Sequence, residues 1–370
     1  MRGPKNGQIK TDRRGFLTGL LAASLAPRLT WADAGDPAYL AAAREADGTF
    51  ALFGLSLNGT DLFRIPLPAR GHAAAAHPTR PEAVAFARRP GTYALVINCV
   101  DGNVMHRLTA PKGRHFYGHG TFIDDDTLCC TENDVATGEG RISLWSRSAG
   151  YARIGDIPSG GIGPHDIKLM PDGKTLVVAN GGILTHPDTG REKLNLDTMR
   201  PNLSYVDPAS GPVETITLPP ELHQNSIRHL DLRADGLVAF AMQWEGELGA
   251  PVPLLGLHIR GPNPIDAEPI LAEPAPADLA ALKGYAGSVS FDGTGKRIAI
   301  TSPVGGKMLV HDLEGGDWLW PRRDVCGVAS SPSGFLVTDG LGGVFRIIGE
   351  QAENLALANR AWDNHLVKIG

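Results

Sequence analysis

The chain lacks most of the features that would place it quickly. It holds four cysteines in 370 residues, too few for a disulfide scaffold. Cys129 and Cys130 are adjacent, so on a strand they point to opposite faces. Cys99 and Cys326 are far apart in sequence, and all four are expected as buried thiols. No His-Glu-x-x-His and no paired Cys-x-x-Cys occurs, so no compact metal motif is present. Nucleophile elbow, Walker loop and dinucleotide fingerprint are missing too. Ser159–Pro164 is glycine-rich, but it lacks the fingerprint spacing and no helix is expected after it. The formal charge is only −5, with both signs mixed, which removes nucleic acid and anionic membranes as expected partners. The apolar run from Leu17 to Ala26 is about half the length that crosses a bilayer.

Glycine and proline are plentiful, with 46 and 28 residues, as befits many short strands joined by tight turns. Five of the twelve histidines recur at one place in a repeated pattern. His72 follows Arg70-Gly71, His119 follows Tyr117-Gly118, and His165 follows Gly163-Pro164. His229 follows Ile227-Arg228 and His365 follows Asp363-Asn364, while Gly287 and Cys326 fill two further slots. A spacing of roughly 40 to 60 residues in a strand-rich chain marks propeller blades.

Residues 119–157 give the clearest blade, with strands over His119–Asp124, Thr127–Glu132, Arg141–Arg147 and Tyr151–Ile157. Segments beginning at residues 72, 165, 229, 287 and 326 repeat it. The strands Tyr39–Arg44, Phe50–Leu57 and Leu62–Leu67 need a fourth, and Asn364–Ile369 supplies it. The reading is an all-β, seven-bladed propeller over 35–370, closed by the C-terminal strand pairing with the N-terminal ones; closure removes exposed sheet edges. The stretch 244–286 is the least clear. Two insertions, Gly181–Asp197 and Trp244–Pro253, are expected on the face that carries the histidines.

Residues 1–34 read as an export leader. Arg13-Arg14 precede Gly15-Phe16-Leu17 and a weakly apolar stretch, the twin-arginine pattern, and Thr30-Trp31-Ala32 or Ala32-Asp33-Ala34 fits a cleavage site. The expected compartment is the periplasm and the expected mature form a monomer.

On the innermost strands equivalent positions surround one axis, so His72, His119, His165, His229 and His365, with Cys326, form a candidate site for a transition metal, Fe or Cu, or for haem. Arg228 and Asp324 adjoin ring positions and would balance charge. Glu132, Asp134 and Asn180 follow second strands. They read either as a polar wall of the same funnel, supplying an acid, base or oxygen ligand, or as turn chemistry. His186, Asp188 and Arg191 lie in the first insertion, either to recognise a ligand over the funnel or to form a solvated loop. The histidines themselves have a plain alternative, as polar residues lining a channel and bonded to neighbouring strands.

The segments GHGTFIDDD (118–126), TENDVATGEGRISLW (131–145), GIGPHDIKLMPDG (161–173), LVVANGGILTHPDTGREKLNLDTM (176–199), NSIRHLDL (225–232) and DVCGVASS (324–331) resemble a bacterial family known as domain of unknown function 1513. The resemblance spans essentially the whole mature chain. It implies an exported seven-bladed propeller with genomic company among imelysin-like iron-uptake lipoproteins and haem-containing thiol oxidoreductase homologues. It assigns no catalytic residue. More distantly the architecture is similar to the quinoprotein amine dehydrogenase β-chain and other YVTN propellers. Three functions are therefore expected in competition: a periplasmic binder of a metal or haem-related ligand in iron homeostasis, a metal-dependent oxidoreductase using the same site, and a protein-interaction scaffold with structural histidines.

Overall fold

A computed structural model describes residues 28–88, 93–190, 192–261 and 268–369. Its strands form seven four-stranded antiparallel sheets. Six are built from consecutive strands. In the seventh, the C-terminal strand β28 (Arg360–Lys368) lies beside β1 (Tyr39–Glu45), β2 (Phe50–Leu55) and β3 (Asp61–Leu67). The expected ring closure is therefore present, with Ala41 opposite Leu366 and Ala43 opposite Trp362.

Closure is fixed by side chains as well as by the ladder. Trp362 meets Phe53 edge to face with ring centroids 5.3 Å apart. The Arg360 guanidinium covers both rings, 4.1 Å from Phe53 and 4.9 Å from Trp362. Asp61 accepts from both Arg360 terminal nitrogens at 3.1 and 2.6 Å. Aromatic and cation–π contacts of this kind add to plain area burial.

Blades pack face to face through alternating apolar positions. Between the second and third blades, Phe86, Val96, Phe116, Leu128, Cys130 and Trp145 form one cluster. Glu82 on β5 (Glu82–Ala87) crosses the same boundary to accept from Arg147 at 2.8 and 2.5 Å and from the Tyr151 hydroxyl at 2.8 Å.

The innermost strands are β28, β4 (Gly71–Ala76), β8 (Arg114–Phe122), β12 (Pro164–Leu169), β16 (Asn225–Leu232), β20 (Ser288–Phe291) and β24 (Val325–Ser331). Several begin earlier than the sequence reading placed them, which started each at its histidine. The reason is a break in register at that position. Pairing skips from Gly71 to Ala74, Phe116 to Gly120, Pro164 to Asp166 and Ile227 to His229; on β28 it skips over Asp363–His365. The ladder resumes on the far side of each break, so strand continues upstream of the histidine. Bulges of this kind re-aim side chains, and here they turn the imidazoles toward the axis.

Two other features were not anticipated. In the stretch 244–286 the outer strands shrink to Leu255–His258 and Ile270–Leu271, and a short helix, Pro276–Ala281, carries Leu279 into the core. Proline at its first position suits a helix start. Residues assigned to the leader also join the fold: Trp31 and Ala34 are buried against the first two blades, and Trp31 Nε1 donates to the His77 carbonyl at 2.9 Å. An amphipathic indole with its N–H satisfied packs well there. Arg13-Arg14 and the apolar stretch lie outside the described residues. Among the described residues no helix is long and apolar enough to cross a membrane.

Candidate metal centre

The five recurrent histidines meet on the propeller axis. Ring centroids of His72 and His365 are 4.5 Å apart, His119 and His365 4.7 Å, His119 and His165 4.8 Å, and His165 and His229 4.9 Å. Gly118 makes room for this packing. Its φ is +97°, and a Cβ there would stand 2.6 Å from His72 Cδ2, so both its conformation and its lack of a side chain are needed.

Burial sets the protonation of the ring. Removal from water, followed by neighbouring imidazoles, pushes His72 and His365 far below the usual imidazole range; at His165 the Arg228 guanidinium adds to this. His229 is pushed down to about 3 by burial and by His119. Neutral rings retain a lone pair for a metal.

Hydrogen bonds assign the tautomers. Asp166 Oδ1 accepts from His119 Nδ1 at 3.1 Å. Its position is fixed by the backbone amides of Ile167, 2.8 Å from Oδ1, and Leu230, 3.0 Å from Oδ2. Burial alone would raise the Asp166 carboxyl, but His119 and Lys168 hold it far below the usual carboxylate range. With Nδ1–H committed to Asp166, a neutral His119 has its lone pair on Nε2, which faces His72 Nε2 at 3.2 Å. His165 differs, because its Nδ1 accepts from Arg228 Nη1 at 3.3 Å. In the neutral ring, Nε2 of His165 therefore carries the proton.

Two overlapping sets, His72/His119/His365 and His119/His165/His229, each place ring nitrogens within 4.8 Å of one another. The tautomers favour the first. His72 Nδ1, His229 Nδ1 and His365 Nε2 are buried and have no hydrogen-bond partner among the described residues. The 3.2 Å between the two Nε2 atoms matches the separation of about 3.3 Å between two nitrogens on a tetrahedral ion with bonds of about 2.05 Å. A carboxylate behind one ligand is the usual support for a histidine-bound metal.

The ring divides the channel into two mouths. On the side of the long loops, a cavity of about 260 Å³ touches His72, His165 and His229 and is walled by Arg88, Tyr117, Lys193, Arg228, Glu245 and Tyr285. The other mouth, about 190 Å³, touches His119, His229 and His365 beside Asp166, Lys168 and Asp231. The upper cavity opens to solvent on the loop side, and its volume is near the lower end of ordinary ligand pockets, about 300 Å³.

Of the other sequence candidates, Arg228 lies against His165, with Nη2 3.7 Å from Glu245. Cys326 does not join the ring. Its thiol lies 3.5 Å from the Thr338 carbonyl and 3.6 Å from that of Trp362, in the apolar cluster with Phe53 and Leu366, and burial pushes its pKa up. The register break in β24 spans Cys326 and Gly327 and directs the thiol between blades. Glu132 is fully buried inside its own blade, held by Arg153 at 3.0 Å with its pKa raised by burial, and does not wall the funnel. Asp134 caps the turn amides of Ala136 and Thr137 and pairs with Arg114. Asn180 ties Ser159, Asn202 and Ser204 together between strands. Side chains ending these second strands point into the blade packing, and turn chemistry explains the rest. His186 accepts from the Asp188 amide at 3.2 Å in an exposed turn, with Asp188 itself in solvent. Arg191 lies outside the described residues. Asp324, at φ +55°, borders a separate cavity with Arg70, Cys326 and Asp363.

Asp166 was missed, although it directly follows His165. Adjacent strand residues ordinarily face opposite ways, and only the bulge lets both serve the centre. Arg88, Tyr117 and Tyr285 come from three blades with no shared pattern, so no sequence signal singled them out; Gln243 and Glu245 share one blade, at the end of its second strand, the position read from sequence as a polar wall of the funnel.

Comparison with solved structures finds the same architecture. A chain of Kuenenia stuttgartiensis hydrazine synthase superposes with a TM-score of 0.57 at 14% identity, over 84% of this chain and 90% of that one. The β-propeller domain of Cps50 (Swd1) from Myceliophteria thermophila gives 0.58 at 10% identity, over 91% and 95%. At these identities the likeness concerns fold alone. No curated protein matches the chain. The family profile described as "Protein of unknown function (DUF1513)" matches residues 65–369, and the chain, a seven-bladed propeller with a histidine-filled axis, belongs to that family.

Proposed function

We propose that this is an exported, periplasmic propeller that binds one transition-metal ion, Fe or Cu, at its axis and serves iron or copper handling alongside uptake proteins of the imelysin-like kind. The observation that carries the reading is the set His72, His119 and His365. These are three imidazoles from three blades, with His119 Nε2 aimed at His72 Nε2 and Asp166 behind. Imidazole suits Fe, Cu, Zn and Ni alike, so the ligand set leaves the ion to be found by titration.

The test is titration of metal-free protein with Fe(II), Cu(II) and Zn(II), following thermal unfolding. An ion binding only the folded state at about 100 times its Kd adds about 2.7 kcal/mol. We expect a saturable rise in Tm for at least one ion, abolished in His119→Ala. No shift with any of the three would overturn the proposal.

A further inference from the structure

The charge around the upper mouth is opposite in sign to what a bare cation site would want. The protein carries a net −5, yet Arg88, Lys193 and Arg228 line this cavity against one carboxylate, Glu245. Glu245 is already shared, pairing with Lys193 and lying 3.7 Å from Arg228. Asp363 stands 3.6 Å behind Arg88 but accepts from Arg70 at 2.7 Å. The funnel therefore holds a surplus of two positive charges. A divalent ion seated among the imidazoles below it would meet cations across a small, poorly hydrated space, where repulsion is weakly screened.

From this we infer that the upper funnel is an anion site, and that a small carboxylate binds there together with the metal. This rests on the metal reading above and names what completes it. The lower mouth gives the contrast, since Asp166 and Asp231 there meet Lys168 and Lys368 in equal number. Donor-bearing side chains line the upper cavity. Arg228 is nearly buried, and its Nε has no hydrogen-bond partner among the described residues. The Gln243 side chain and the Tyr117 and Tyr285 rings complete the wall. A guanidinium beside open space matches a carboxylate's two oxygens. At about 30 Å³ per water, 260 Å³ holds about nine waters, the scale of a compact dicarboxylate. One carboxylate end would rest on Arg228 and Arg88, and the other would reach toward the ring.

Isothermal titration calorimetry decides the matter, with succinate as probe because it chelates free metal only weakly. Succinate should bind the metal-free protein, at least tenfold more weakly in Arg228→Gln. Lys193→Gln, on an insertion loop, keeps the test usable if the first variant unfolds, and should also weaken binding. By linkage, saturating succinate should tighten Zn(II) binding at least tenfold. Zn(II) binding that ignores succinate would overturn this inference and leave the metal centre standing. Succinate binding unchanged in both variants would overturn it too, as would inorganic phosphate binding more tightly than succinate. Absence of Zn(II), Fe(II) and Cu(II) binding altogether would remove the metal reading and the inference with it.

Discussion

The Nε2 atoms of His72 and His119 face each other at 3.2 Å across the propeller axis. Because His119 Nδ1–H donates to Asp166, the neutral ring presents its lone pair on Nε2. His72 is neutral, its pKa lowered by burial. The pair is then held together either by the His72 proton, which leaves His72 Nδ1 without a partner, or by a cation that both rings ligate. His72 Nδ1 has no partner among the described residues in either arrangement; the second makes both rings ligands of one ion, and several expectations come from it.

Asp166 acts through His119 rather than on the ion. Asp166→Asn keeps the shape and removes the charge that fixes the tautomer. Metal affinity, measured by competition with a chelator, should fall about 10–100-fold, while the fold persists. Unchanged affinity would mean that His119 is not a ligand.

Cys326 should be dispensable for the metal. Its thiol is bonded to backbone carbonyls between blades, so Cys326→Ala is expected to cost about 1 kcal/mol of stability, the ordinary scale for a point substitution. Metal content should stay at the wild-type level. A drop in metal with the fold intact would place the thiol at the centre after all.

Trp362 carries the seam where the chain's two ends join. Trp362→Ala removes its contacts with Phe53 and Arg360 and should cost about 3–5 kcal/mol in denaturant unfolding, as large-to-small core changes do. A loss under about 1 kcal/mol would show that the ladder alone closes the ring.

Glu82 makes part of the stability pH-dependent. Burial would raise its carboxyl, but Arg147 and the Tyr151 hydroxyl hold it below its ordinary value. A lowered folded pKa gives stability that is full above the unfolded value, about 4.3, and is lost as pH falls through the folded one. The acid limb of a Tm–pH curve should therefore be flatter in Glu82→Gln, and at pH 7 that variant should be less stable by about 1–3 kcal/mol. Parallel acid limbs would contradict the clamp.

The architecture was readable because each blade repeats one histidine at one place, and repetition needs no knowledge of side-chain direction. The site was readable only where that direction was simple. A bulge turns His119 inward, and another, across Cys326 and Gly327, turns the thiol between blades. No propensity in the flanking residues distinguishes the two. Glu132 looked like part of the funnel because it ends a second strand, yet its side chain enters the blade interior to meet Arg153. Asp166 was hidden by the alternation rule that its bulge breaks. The funnel cations Arg88, Lys193 and Arg228 come from three blades and meet only in space.

Elemental analysis of the full-length protein, beside a His119→Ala variant, tests the central claim most directly. His119 belongs to both histidine sets, so the account predicts about one transition-metal ion per chain in the wild type and none in the variant, with circular dichroism unchanged. No metal in either protein, or equal metal in both, would contradict it.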